Sequence, residues 1–115
     1  KSLSADEVLP LYSASKHGVL GLTRGIAVTE AYAKAGIRCN CICPGDIRTS
    51  IVEQYWAAQP DPTSAEAETM AHYPMKRIGE PSEMADTVLY LVSDLSSFVN
   101  GTNIVVDGGV MAKVY

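Results

Sequence analysis

A chain of 115 residues that is 47% hydrophobic and 19% charged has the make-up of one small globular domain, not of a disordered segment. Its net charge is −4 and it holds no basic run, which argues against a nucleic-acid partner. No apolar run approaches the ~20 residues of a membrane span, and no signal peptide opens the chain, so no membrane partner is expected; the first residue is Lys1 and not Met.

Residues 1–10 read as a polar loop in which Asp6 and Glu7 suit the positive end of a following helix. The pattern predicts that helix over residues 11–35, closed by Gly36. Tyr12 and Lys16 lie four apart, about one turn, so phenol and ammonium share a face. A phenol ordinarily titrates near ~10, and a neighbouring cation favours its charged form. Such a pair suits proton transfer near neutral pH. Taken alone, Tyr-x-x-x-Lys also fits an ordinary helix residue beside a solvated lysine. Val19 and Thr23 share the sector of Tyr12 and Lys16, while Ala14, Gly18, Gly21 and Gly25 fall on roughly the opposite side. Glycine inside a helix costs about 0.5–1 kcal/mol against alanine, so the stripe predicts a close neighbour. His17 points away from Lys16 and reads as packing or interface.

Residues 37–43 are short, apolar on both faces and closed by Pro44-Gly45, the pattern of a buried strand in a parallel sheet. Cys39, Cys41 and Cys43 share one face of it. Their spacing is poor for a disulfide and a metal would need a fourth ligand, so they read as small buried side chains and no metal is expected. They fit a reducing compartment, the cytoplasm. The loop Pro44–Thr49 follows at the strand's carboxyl end, where open α/β sheets bind ligands; a plain strand-to-helix turn is the alternative. Residues 50–78 form an insert, with a short helix over 50–59, a break at 60–64 and a second helix over 65–72. Its large groups, Tyr55, Trp56, Met70, Tyr73 and Met75, suit a lid or substrate wall, or else a loosely packed surface connection. Residues 81–94 read as an amphipathic helix with proline in its first turn. Residues 102–106 read as a second strand, ended by Asp107-Gly108-Gly109, and residues 110–115 as a tail.

In this order the motifs resemble the C-terminal half of a short-chain dehydrogenase/reductase. Tyr12-Ser13-Ala14-Ser15-Lys16 resembles the family's Tyr-x-x-x-Lys. Arg38-Cys39-Asn40 with Cys43-Pro44-Gly45 and Thr49 is similar to its strand-end motif. Arg77-Ile78-Gly79-Glu80-Pro81, with Glu83 and Ala85, is similar to the entry of its last helix, and Val106-Asp107-Gly108-Gly109 to its closing strand. The likeness spans residues 10–109 and is weakest over 50–76.

The resemblance implies an α/β fold, the C-terminal part of a Rossmann-like doubly wound parallel sheet comprising its last two strands with flanking helices. It implies hydride transfer between NAD or NADP and a small alcohol or carbonyl substrate. Tyr12 would be the acid/base, and Lys16 the cation that favours its phenolate and holds the nicotinamide ribose hydroxyls. Pro44 and Gly45 would lie against the nicotinamide, with the Ile47 backbone and Thr49 at its carboxamide. Tyr55 and Trp56 would line the substrate side. A homodimer or homotetramer is implied, since the first helix pairs with its copy in the family. The glycine-rich phosphate loop, the relay asparagine and the catalytic serine have no counterpart here, and Ser2 and Ser4 lie too near Tyr12. The expectation is therefore a C-terminal fragment, 1–115, of one NAD(P)-binding domain, inactive by itself. The alternatives are a non-catalytic truncated piece kept for interaction or dimerisation, and a dinucleotide-binding sensor without turnover.

Overall fold

The computed structural model describes residues 10–112, so Asp6, Glu7 and residues 113–115 lie outside the described residues. Two compact units can be distinguished: residues up to Cys43 with Thr87–Val105, and Pro44–Asp86 with Val106 onward. Two strands, β1 (Cys41–Pro44) and β2 (Asn103–Val106), form a two-stranded sheet. The N–H of Cys41 donates to Thr102 and that of Gly45 to Val106. Partner numbers rise together, which is the parallel arrangement.

In the first unit, α1 spans Pro10–Ala27 and α2 Glu30–Lys34, where the pattern predicted one helix over 11–35. The break lies at Val28 and Thr29. The Thr29 hydroxyl donates back to the Gly25 carbonyl at 2.9 Å, and its backbone is extended, with φ −73° and ψ 108°. A threonine bonded this way competes with the helix ladder, and here it starts α2 as the residue before its first turn. Gly36 closes α2 as expected, with φ +78° and an Ile37 N–H that reaches back to the Tyr32 carbonyl. The buried residues of α1 are Ser13, Leu20, Thr23 and Ala27, one stripe at helical spacing. Nothing in the described chain comes within 4 Å of a Cβ built on Gly18, Gly21 or Gly25, so the neighbour the glycine stripe predicts is not supplied by these residues.

The expected strand 37–43 starts late, at Cys41; ahead of it the Cys39 carbonyl accepts from the Gly101 N–H and side chains tie residues 38–40 to distant backbone. The Arg38 guanidinium donates to the carbonyls of Leu91, Ser93 and Val99. That places a cation on the last carbonyls around a helix C-terminus. The Asn40 amide donates to the Val99 carbonyl and accepts from the Thr102 N–H. Asn100 accepts from the Cys39 N–H and donates to the Ala27 carbonyl. Of the three cysteines, Cys43 is buried and Cys39 and Cys41 are half-buried, so the strand is less enclosed than its apolar pattern suggested.

In the second unit, α3 (Ser50–Ala57) and α4 (Pro62–Ala71) form the insert. The second helix starts three residues earlier than expected because Asp61 caps it, accepting from the Ser64 N–H, with Pro62 in its first turn. Trp56, Tyr73 and Ile78 make the core, with Val52, Ala65, Met70 and Val110 against them. The insert is thus packed, not loose. The last helix, α5, spans Pro81–Val92 and passes from the second unit into the first. It stops short of residue 94: the Ser96 hydroxyl takes the Leu91 carbonyl and Asp94–Ser96 tightens into a 3₁₀ turn. Its apolar residues Val88, Leu89 and Val92 are exposed, as are Leu95 and Phe98 beyond it. The expected tail instead opens with a 3₁₀ turn at Val110–Ala112.

Candidate active site

The first group of site residues sits at the start of α1. Lys16 Nζ lies 5.2 Å from the centre of the Tyr12 ring, as a four-residue step on a helix dictates. Tyr12 is 46% exposed, while its neighbour Ser13 is buried. The Tyr12 carbonyl accepts from the Ser15 hydroxyl at 2.7 Å. His17 is exposed and turns Nδ1 to the Ser13 carbonyl at 2.9 Å, a bond within its own helix. Thr23 belongs to the buried stripe and not to the open face of Tyr12 and Lys16.

The second group is the loop after β1. Pro44 ends the strand and is exposed. A Cβ on Gly45 would stand 3.1 Å from Asp107 Cα, 3.1 Å from Tyr73 Cε1 and 3.2 Å from Tyr73 Oη. Glycine lets the turn fit between those walls. Ile47 pairs with Gly79 in a parallel bridge. That bridge uses the Asp46 carbonyl and the Arg48 N–H, so the N–H and C=O of Ile47 itself face away from Gly79. Thr49 precedes α3 with extended backbone yet makes no side-chain capping bond. A threonine at a helix start ordinarily spends its hydroxyl on capping; this one does not.

Sequence reasoning missed the side chains that brace this loop. The Tyr73 hydroxyl donates to Asp46 Oδ2 at 2.8 Å and accepts from the Asp46 N–H at 2.7 Å. Burial, chiefly, pushes this phenol up to about 12, so it remains a donor at physiological pH. Arg48 lies over the Trp56 ring at 5.4 Å and faces Glu66 at 3.1 Å, Glu80 at 3.5 Å and Glu53 at 3.9 Å. The Glu66 bond, foremost, raises the pKa of Arg48. Arg77 grips Glu83 through two bonds of 2.8 and 2.7 Å. With the Glu80 N–H, which also donates to Glu83, this drives the Glu83 carboxyl down to about 2. Asp107 accepts from the N–H groups of Gly109 and Met111, bending the chain through two left-handed glycines. A cleft of about 130 Å³ opens among Asp46, Tyr73, Arg77, Glu83 and Asp107. None of these pairings leaves a periodic trace; the nearest sequence signal was the Arg77…Glu83 spacing at a helix entry.

Tyr55 and Trp56 are adjacent but differently placed. Tyr55 is 60% exposed, whereas Trp56 is 5% exposed and donates through Nε1 to the Thr69 hydroxyl at 3.1 Å. Among the described residues no group of three or more His, Cys, Asp or Glu could hold a metal ion, and no helix is long and apolar enough to cross a membrane.

Comparison with known proteins gives a consistent picture. A family profile described as enoyl-(acyl carrier protein) reductase matches residues 2–111. Dehydrogenase/reductase SDR family member 6 of Danio rerio is 42% identical over 99 residues, 86% of this chain and 40% of that protein. A C-terminal deletion mutant of Thermoplasma acidophilum aldohexose dehydrogenase has a TM-score of 0.83 at 36% identity, over 91% of this chain and 46% of that one. A structure from Agrobacterium tumefaciens with bound NADP has a TM-score of 0.77 at 34% identity, over 90% and 40%. The chain spans about 40% of the length of the curated relatives it matches.

Proposed function

This chain belongs to the short-chain dehydrogenase/reductase family, and from that premise we propose that it is part of an NAD(P)-dependent oxidoreductase acting on a small alcohol or carbonyl substrate. The observation that carries the proposal is the exposed Tyr12 phenol with the Lys16 ammonium 5.2 Å from its ring. Because the chain matches about 40% of its relatives, we take it as the C-terminal share of one cofactor-binding domain in a longer protein. The cofactor is NAD or NADP; a structural relative holds NADP.

The roles follow from the side chains. Tyr12 gives its proton to a carbonyl oxygen during reduction and takes one from the alcohol during oxidation. Lys16 stabilises the phenolate electrostatically and donates to the ribose hydroxyls. The Gly45 turn presents a surface without a side chain, with Pro44 beside it. The Ile47 backbone and the Thr49 hydroxyl bind the carboxamide. The nicotinamide, when bound, supplies or accepts the hydride. Tyr55 on the open face of the insert meets the substrate, and Trp56 holds the insert's shape beneath it. No membrane or nucleic-acid partner enters this reading, and we place the protein in the cytoplasm as a homodimer or homotetramer.

The test is Tyr12→Phe in the full-length enzyme. Phenylalanine keeps the ring and removes the proton, so turnover should fall by about 10²- to 10⁴-fold with cofactor affinity near that of the parent. Lys16→Ala should damage both. Substantial activity in Tyr12→Phe, with an unchanged pH profile, sinks the assignment. A second reading, a non-catalytic piece kept for dimerisation, is favoured by the open glycine stripe of α1. It predicts self-association of the chain without nucleotide binding.

A further inference from the structure

We infer that Tyr73 is a positioning residue for the nicotinamide turn, acting through Asp46 and Gly45. The inference rests on the assignment of Pro44 and Gly45 to the nicotinamide and adds a determinant from the far end of the insert. Its basis is geometric. One hydroxyl serves Asp46 twice, accepting its backbone N–H at 2.7 Å and donating to its carboxylate at 2.8 Å. The same ring stands where a Cβ on Gly45 would meet it at 3.1 Å. On the other side Asp107 Cα stands at 3.1 Å, and the Gly45 N–H is held by the Val106 carbonyl at 3.0 Å. The turn is therefore clamped between the end of β2 and the Tyr73 ring, and it has little freedom to move.

The clamp is itself anchored. Tyr73 is 4% exposed and packs in one cluster with Trp56 and Ile78. Its N–H is bonded to the Met70 carbonyl and its carbonyl to the Lys76 N–H. Any loosening of the insert reaches the Asp46 N–H and carboxylate through this one oxygen. An ordered insert and a correctly set nicotinamide turn are thus one event.

The experiment measures binding to the full-length protein of NADH and NADPH, and of ADP-ribose and its 2′-phosphate, which lack the nicotinamide. Tyr73→Phe keeps the ring and deletes the oxygen. It should bind the preferred reduced cofactor about five- to tenfold more weakly, the scale of one lost hydrogen bond, while the matching ADP-ribose binds as it does to the parent. Asp46→Ala, which removes the carboxylate from the other side, should show the same selective loss and serves if Tyr73→Phe does not fold. Equal binding of the full cofactor by parent and both variants overturns the inference. So does an equal weakening of cofactor and ADP-ribose together with a lower Tm, which is what a merely structural role produces. A parent protein that binds neither cofactor instead removes the oxidoreductase assignment, a different failure.

Discussion

Replacing Trp56 by alanine separates packing from substrate contact within the insert. The indole is 5% exposed and sits in a cluster with Tyr73 and Ile78. Truncation deletes its ring from that cluster and leaves a cavity, a change that costs about 3–5 kcal/mol for buried Phe or Trp. Two further contacts go with it: the Nε1–H bond to Thr69 and the ring face beneath the Arg48 guanidinium. Thr69 keeps its bond to the Ala65 carbonyl, and Arg48 keeps its three carboxylates, so neither is stranded. Packing therefore sets the figure. Against an ordinary total of roughly 5–15 kcal/mol, a loss of about 4 kcal/mol is large. With a urea slope of about 2 kcal/mol/M, the midpoint should drop by roughly 2 M. The assay is urea unfolding of the full-length protein followed by far-ultraviolet circular dichroism, with kcat/KM measured for a panel of alcohols. Tyr55→Ala is the partner measurement. Its ring is exposed, so stability should change by less than about 0.5 kcal/mol while substrate preference shifts. An unchanged midpoint in Trp56→Ala, accompanied by a changed substrate preference, would refute this reasoning and place the indole at the substrate.

Gly21→Leu should leave the fold of one chain intact, since nothing in the described residues lies within 4 Å of the new Cβ. If α1 pairs with its copy, overpacking there should weaken assembly by about 1–3 kcal/mol; light scattering showing an unchanged mass excludes that pairing. The Arg77–Glu83 pair predicts an acid limb. Glu83 titrates near 2 in the folded protein against an ordinary 4.5, mainly through its Arg77 bonds. Its contribution is then present above about 4.5 and lost as pH falls toward 2. Tm measured from pH 5 to pH 2 should fall more steeply for the parent than for Glu83→Gln, and parallel curves would show that the pair is not linked to acid stability.

How much of this was legible in the chain depends on the range of the forces involved. The α1 pair Tyr12 and Lys16, the left-handed Gly36, the proline-led α5 and the parallel order of β1 and β2 all follow from spacing, turn chemistry or local pattern. These are interactions within one element or one connection, and sequence distance measures them directly. The split of α1 from α2 at Thr29 was also local, but it turned on a hydroxyl choosing the Gly25 carbonyl, a choice that propensity does not resolve. Ahead of β1, Asn100 takes the Cys39 N–H, and Arg38 and Asn40 hold the Val99 carbonyl, bonds to groups far along the chain that no local pattern shows.

The same holds for the candidate site. Gly45, Ile47 and Thr49 could be singled out by motif, but only the fold revealed what stands around them. Tyr55 and Trp56 looked alike as neighbouring aromatics in an insert without a clear period. Packing of α3 on α4 buries one and leaves the other open, because side chains one position apart on a helix point about 100° apart. Asp46 and Tyr73 lie 27 residues apart and share two hydrogen bonds, and no periodicity connects them. Contacts of that kind arise when the chain returns on itself. The residues alone determined which groups were available for chemistry, and tertiary structure decided which of them are braced, buried or left open to a ligand.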